Sequence, residues 1–424
     1  MILLCRDYVL ESVTNERICR AFQGVRVLCV SDIANLSSHS GQTALVTLVS
    51  LLARMGLQVA LQVPKVDVLS AQPPFSSGSI QRALTRASSA LMPGATVSID
   101  SDFAADLVFV LGNTKVPGRS ACSWVLSGSE WDATLSTPRM FGGVHTWTSA
   151  WPVGAMACAA LAANEAFKFV VRQLPLRSEA GELFEPSHRC HWDFGSCPIP
   201  DGRIDLGRVD VVSAGAISQA VLFSLLRMPK VEMRGRIFDD DRTCPSNLNR
   251  NMLSLDTDVG FPKAEISAAR CAHKLQLQPI VERYSATYEL GGRVLVGVDD
   301  IPSRWEIQRH SPGWVGVSGT SHFSVSSSAH SRSEPCSGCL HPVDDVTAIT
   351  SIPTISYVSF WAGLALSVRL IRECLGVPYS SRRQHLWLTP LRMDLNRCAM
   401  WFPVAARPDC PVGCAASRRL RGEN

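Results

Sequence analysis

The sequence predicts an α/β protein of two tandem, doubly wound halves, with a small cysteine-rich element near its end. Three observations predict this. Short β-branched runs alternate with longer apolar runs across turns rich in small residues, the rhythm of strand–turn–helix–strand units. The second half then repeats the first in order: VDVVSAGA answers VRVLCVSD, RGRIFDDD answers GLQVALQV, GRVLVGVDD answers ADLVFVLGN, and SIPTISYVSFWAGLALSVRLI answers AWPVGAMACAALAANEAFKFV. At 424 residues, 46% hydrophobic and 18% charged, the chain is globular and long enough for two domains, each expected to bury its own core.

Residues 24–30 read as a buried strand, and 42–55 as a helix ended by Gly56. Residues 57–63 and 105–111 read as further strands, and 152–171 as a small-residue helix. The Ser-, Pro- and Gly-rich tract 71–94 reads as loop with one short helix. Residues 174–203 are rich in turn formers and read as a connector. This sets expected boundaries at 1–173, 174–208 and 209–424.

The stretch 209–263 holds the densest chemistry. A short strand leads through Ser213, Gly215 and Ser218 into an apolar helix, and the next strand ends in Asp239, Asp240 and Asp241. Such a unit places phosphates at a helix N-terminus and ribose hydroxyls on the acid. Only one glycine stands in the turn, so by itself it also reads as a plain strand–helix connection. Downstream, Asn247, Arg250 and Asn251, followed by Gly260-Phe261-Pro262-Lys263, add amides and two cations beside Asp239. That set suits a triphosphate under attack better than a nicotinamide that is only held. After the strand 293–298 come Asp299 and Asp300, then Ser303-Arg304. Each residue has a bland alternative: a capping Asp, a solvated Arg, a helix-starting Lys, a loop Asp pair. The first half has Val63-Pro64-Lys65 where the acid would stand, so it is expected to be empty of chemistry.

The net charge of +4 is small and spread out, which gives no argument for a nucleic-acid partner. Two apolar stretches, 155–171 and 355–370, are interrupted by Glu165, Lys168 and Arg369 and fall short of a membrane span, so buried helices and no membrane partner are expected. Fifteen cysteines with no secretory signal point to a reducing compartment, and a cytoplasmic location is expected. Cys336-Ser337-Gly338-Cys339 and Cys410-Pro411-Val412-Gly413-Cys414 pair like the knuckles of a closed thiolate site, with packing thiols as the alternative.

On these residues, the segment from about Val209 to Cys414 resembles the adenylation domain shared by ubiquitin-activating enzymes and the adenylyltransferases of thiamine and molybdopterin sulfur transfer. The acidic strand tip, Ser246-Asn247-Leu248-Asn249-Arg250-Asn251, Gly260-Phe261-Pro262-Lys263, the Asp299-Asp300 element with Arg304, and the two cysteine pairs carry the resemblance. It implies two Rossmann-like adenylation domains in an intrachain pseudo-dimer, the first inactive. It further implies ATP as cosubstrate, with Gly215, Asp239, Asn247, Arg250, Asn251 and Lys263 binding it. Asp299 would hold Mg2+, and Cys336, Cys339, Cys410 and Cys414 would hold structural Zn2+. The implied reaction is adenylation of the C-terminal carboxylate of a ubiquitin-like protein ending in glycine, followed by thioester transfer to a conjugating enzyme. Adenylation of a small peptide or sulfur carrier without a thioester, and a non-catalytic scaffold that binds a ubiquitin-like protein, stay open beside it. The second cysteine pair departs from the usual two-residue spacing.

Two positions are less direct. The resemblance implies an N-terminal arginine reaching the γ-phosphate; Arg6 stands at a suitable distance, with Arg17 and Arg20 competing. It also implies a nucleophilic cysteine just before Ser351-Ile352-Pro353-Thr354, where Ala348 stands. Either the natural reaction stops at the acyl-adenylate, or Ala348 replaces a native cysteine. Cys374 is a third thiol, but a helix C-terminus does not favour its thiolate.

Overall fold

A computed structural model describes residues 7–75, 78–100, 104–112, 114, 122–140, 147–195, 197–199, 201–311, 313–343, 354–394 and 398–423. Arg6 and Ala348 lie outside the described residues.

The first half runs α1 (Asn15–Gly24), β1 (Arg26–Ser31), α2 (Ile33–Leu36), α3 (His39–Arg54), β2 (Gln58–Gln62), α4 (Ile80–Leu91), β3 (Thr96–Ile99), β4 (Leu107–Leu111), β5 (Cys122–Gly128), β6 (Asp132–Ser136), α5 (Val153–Val171) and β7 (Arg189–Asp193). The second runs β8 (Ile204–Val212), α6 (Ala216–Arg227), β9 (Val231–Phe238), α7 (Lys263–Cys271), β10 (Leu275–Ile280), β11 (Arg293–Val296), α8 (Ile301–His310), β12 (Trp314–Ser321), β13 (Ser324–His330), α9 (Ser337–Leu340), α10 (Ser356–Cys374), β14 (His385–Leu388), β15 (Ala399–Phe402) and α11 (Ala415–Leu420). The sheets are ordered β3-β2-β1-β4-β5-β6-β7 and β10-β9-β8-β11-β12-β13-β14-β15. In each, the first five strands of that order pair parallel and the later ones antiparallel. The fold is thus a mixed α/β protein with two parallel-rich sheets of matching order.

Two expectations need correction. The stretch 174–208 is not a plain connector: β7 completes the first sheet against β6, and β8 already begins at Ile204. Nor does each half bury a separate core. Alternate residues of β1, Val27 and Cys29, and of β8, Val209 and Val211, face one continuous core together with α3, α5, α6 and α10. The opposite faces, including Leu28 and Val30 in one sheet and Val212 and Val294 in the other, form two small outer clusters. The physical reason lies in α5 and α10. Both are apolar nearly all round and buried along almost their whole length, so each must be covered on every side. Phe167 of α5 packs on Tyr357 of α10 with ring centroids 5.4 Å apart, across the two halves. Both apolar stretches are therefore buried helices. Among the described residues, one helix, Val153–Val171, is long and apolar enough to cross a bilayer, and 94% of its apolar window is buried inside the protein.

The repeat extends to wiring. Gln42, in the first turn of α3, donates to Leu36 O and Asp67 O and accepts from Leu69 N. Gln219, in the first turn of α6, donates to Ala214 O and accepts from Leu253 N and Ser254 Oγ. Each glutamine ties its helix to the preceding turn and to the crossover loop behind it.

Candidate active site

The crevice lies at the carboxyl ends of β8 and β11, where the strand order reverses. In open α/β sheets this is where a ligand finds two loops splayed apart. Ser213 takes the turn with φ of +86°, the left-handed region that normally favours glycine. Its Oγ accepts from Gly215 N at 3.0 Å, a local bond that offsets part of the strain. Gly215 is the N-cap of α6, whose twelve residues aim their first amides at the crevice. Ser218 stands where close helix–strand packing usually asks for a glycine. Here the glycine is on the strand side instead: a Cβ at Gly297 would sit 2.5 Å from Ser218 Oγ.

Asp239 follows β9. Its Oδ2 accepts from Ala214 N at 2.6 Å and its Oδ1 from Asp241 N at 2.9 Å, so the carboxylate is fixed against the turn. Burial raises its pKa, partly offset by the Ala214 amide and by Lys263. Lys263 opens α7 and bonds Asp241 Oδ2 at 2.5 Å; its amide donates to Asp241 O. Gly260, at φ +89°, turns the chain so that Gly260 N reaches Thr243 O and Thr243 N reaches Phe261 O. The loop 243–263 thereby folds back on itself and delivers Lys263 next to Asp239.

Within that loop, Asn247 Oδ1 accepts from Cys244 N at 2.9 Å. Arg250 donates to Ser246 O at 2.7 Å and Asn249 Oδ1 at 2.9 Å, and burial lowers its pKa. Asn251 is buried, and among the described residues its Nδ2 has no partner. Across the crevice, Asp300 is occupied as the N-cap of α8, accepting from Ser303 N at 2.8 Å, whereas Asp299 is exposed and lines the cavity. Arg304 is buried and clasps Val298 O through Nε at 3.1 Å and Nη2 at 2.9 Å, fixing the strand end that carries Asp299.

One cavity of about 510 Å³ gathers Gly215, Asp239, Asn247, Arg250, Asn251, Lys263 and Asp299. The size suits a nucleotide-scale ligand. Among the described residues, three buried polar atoms of its lining residues have no partner: Asn251 Nδ2, Tyr284 Oη and Thr354 Oγ1. Buried polar groups are normally paired, so three orphans in one wall mark it as a polar lining. Tyr284 and Thr354 escape sequence reasoning because their value lies in burial, which no local pattern reports. Arg17 and Arg20 do not line this cavity; Arg20 is paired with Glu16 at 2.5 Å. Cys374 does not line it either, and burial pushes its thiol up to about 11, the reverse of activation.

The equivalent crevice of the first half, between β1 and β4, is filled by a side chain. Asn35 is buried there, donating to Leu111 O at 3.1 Å and accepting from Trp147 N at 3.3 Å. A Cβ at Gly112 would fall 1.8 Å from Asn35 Nδ2.

Elsewhere, the Sγ atoms of Cys336, Cys339, Cys410 and Cys414 all lie within 4.8 Å of one another. Cys336 and Cys410 are 3.5 Å apart, and Cys339 and Cys414 are 3.6 Å apart. Sulfurs bound at about 2.3 Å to a tetrahedral zinc sit about 3.8 Å apart, so the four thiols fit such an ion. Gly413, at φ +64°, absorbs the extra residue in the second pair and lets its amide bond Cys410 O at 3.0 Å.

Residues 24–182, from β1 through α5, match the family described as the BilD N-terminal domain. The y4jF protein of Sinorhizobium fredii is 25% identical over 305 residues, a match covering 68% of this chain and 57% of that protein. Among solved structures, E. coli MccB with MccA-N7isoASN gives 15% identity and a TM-score of 0.41, covering 48% of this chain and 66% of that one. E. coli MccB with ATP gives 15% identity and a TM-score of 0.40 over 48% of this chain and 66% of that one. PaaA gives 12% and 0.36 over 47% of this chain and 64% of that one. The match therefore spans less than two thirds of the length of each of these relatives.

Proposed function

We propose that this chain adenylates the C-terminal carboxylate of a ubiquitin-like protein or peptide at the expense of ATP. The observation that carries this reading is the convergence of Asp239, Asn247, Arg250, Asn251 and Lys263 on one cavity at the N-terminus of α6. Asp239 accepts from the ribose hydroxyls, and the α6 amides with Arg250 and Lys263 face the phosphates. A carboxylate oxygen of the partner attacks the α-phosphorus, the bond to the bridging oxygen breaks, and pyrophosphate leaves. Arg250 and Lys263 gain most when charge shifts onto that leaving group, which is where fixed cations accelerate such a step. Asp299 would hold Mg2+, which supplies charge neutralisation on the phosphates when bound. The crevice filled by Asn35 supports reading the first half as the inactive member of an intrachain pseudo-dimer. The four thiols would hold a structural zinc.

With Ala348 in place the proposed product is the acyl-adenylate. Thioester transfer and hand-over to a conjugating enzyme are proposed for a chain with cysteine at 348. The test of the first step is ATP–pyrophosphate exchange with magnesium and a partner ending in glycine. Exchange that depends on that partner supports the reading; no exchange with any such partner sinks it, and failure to bind ATP in calorimetry favours the scaffold alternative.

A pH dependence follows from Asp239. Its folded pKa is raised, so the charged form is disfavoured, and the stability tied to its protonation is present at low pH and lost as pH rises through the folded pKa. Nucleotide binding needs the opposite state, the charged acceptor. Acidification should therefore weaken ATP binding, starting above the ordinary aspartate value of about 3.9, while this group slightly stabilises the ligand-free protein. Titration calorimetry against pH, compared with Asp239→Asn, checks it: the variant should bind weakly and lose this part of the slope.

A further inference from the structure

Arg54 is the last residue of α3, in the half without the cavity, and it is fully buried. Its Nη1 donates to Leu248 O at 2.6 Å and Leu91 O at 3.4 Å, and its Nη2 to Ser254 O at 2.8 Å and Met252 O at 3.2 Å. Three of these four carbonyls belong to the strip that carries Asn247, Arg250 and Asn251. Among the described residues no carboxylate lies within ion-pair distance of it; Asp258 acts on it only through space. Burying a cation against neutral carbonyls is costly, so its presence calls for a return other than net stability.

The repeat supplies the comparison. Arg227 ends α6 as Arg54 ends α3, and each is followed by a methionine, Met228 and Met55. Arg227 is equally buried and reaches the other way, donating to Gln72 O at 3.3 Å and Pro73 O at 3.0 Å in the loop after β2. Each half thus clamps the crossover loop of the other. Only the loop under Arg54 borders the 510 Å³ cavity; the loop under Arg227 belongs to the half whose crevice Asn35 fills.

We propose that Arg54 is a positioning residue for the nucleotide site: from the otherwise inactive half, its guanidinium holds residues 248–254 so that Asn247, Arg250 and Asn251 converge on the ligand. This rests on the nucleotide reading above and goes beyond it, because it gives the first half a part in the second half's site. Backbone misplacement of about an ångström is enough to cost a site 10- to 100-fold.

The test compares Arg54→Met, Arg54→Lys and Arg227→Met with the unmutated chain, using ATP with magnesium as the calorimetric probe and thermal melting as the stability control. Arg54→Met and Arg227→Met should shift Tm alike, since each removes an equivalent buried clamp. Only Arg54→Met should raise the Kd for ATP, by about 10- to 100-fold, with Arg54→Lys recovering part of the loss. Equal weakening by both methionine variants, or a folded Arg54→Met with the original Kd, overturns the inference. Should Arg54→Met fail to fold, Arg54→Lys decides: a Kd unchanged despite the missing donors overturns the inference, and a raised Kd at near-normal Tm supports it. An unmutated chain that does not bind ATP sinks the nucleotide reading itself, a separate outcome seen before any variant is made.

Discussion

Replacing Arg250 with alanine should lower partner-dependent ATP–pyrophosphate exchange about 10²- to 10³-fold, the loss of about 2.7–4 kcal/mol typical of a fixed donor aimed at developing charge. The loss should fall mainly on kcat, because the phosphates are charged in the ground state but the leaving pyrophosphate gains charge in the transition state. Arg250 is held by Ser246 O and Asn249 Oδ1, so part of its fork is committed to the loop and the rest faces the cavity. Lysine at 250 should rescue little, since one ammonium cannot hold the loop and reach a phosphate together. Lys263→Ala should also be severe, for a second reason. It leaves Asp241 without its ion-pair partner beside Asp239, adding negative charge where a triphosphate must bind. Asp241→Asn is the control, because it frees Lys263 without removing it and should spare exchange. Steady-state exchange assays separate these cases, and normal kcat in Arg250→Ala would defeat the assignment.

The chain shows its alternating strands and its repeat openly, because burial imposes a period on each element and duplication imposes it twice. Asp239, Asn247, Arg250, Asn251, Lys263 and Asp299 were readable as a candidate set from their types and spacings, and the fold brings them to one cavity. Other features hide for physical reasons. β7, Arg189–Asp193, alternates exposed and buried over only five residues, too short a signal amid turn formers. Ser213 gives no hint in its identity of a positive φ; glycine there would have announced the turn. Arg54 at a helix end reads as an ordinary complement to the helix dipole. What distinguishes it is the second Arg-Met at 227–228, visible only once the two helices are aligned from their terminal turns. Asn35 likewise reads as a loop residue, and its place between β1 and β4 depends on the fold bringing Gly112 against it.

Stripping metal from the four-cysteine cluster should have a large structural effect. The protein as purified should carry close to one zinc per chain. Structural zinc sites contribute about 10–16 kcal/mol of binding free energy at neutral pH, more than most domains have in total stability. Around the thiols the segment is held mainly by single hydrogen bonds, such as Trp305 Nε1 to His341 O, Gln384 Nε2 to Pro335 O and Arg421 Nη1 to Pro408 O. The buried part of its apolar cluster is Cys336, Cys339, Val404 and Cys410, with Leu340, Val412 and Cys414 packed against it, so four of its seven members are proposed ligands and a metal would hold much of it together. Cys410→Ser should therefore lower zinc content and expose residues 333–343 and 404–423 to hydrogen exchange, while β15 stays paired with β14. The effect should also reach the nucleotide cavity through α8. Arg309, near its C-terminus, donates to Pro411 O at 2.7 Å, while Asp300 caps its N-terminus next to Asp299. A released Cys410 loop frees one end of that helix and should weaken nucleotide binding less than it destabilises the cluster. Metal analysis with hydrogen-exchange mass spectrometry measures both. A chain that carries no metal and whose 404–423 segment is nonetheless protected would mean that the four thiols only pack.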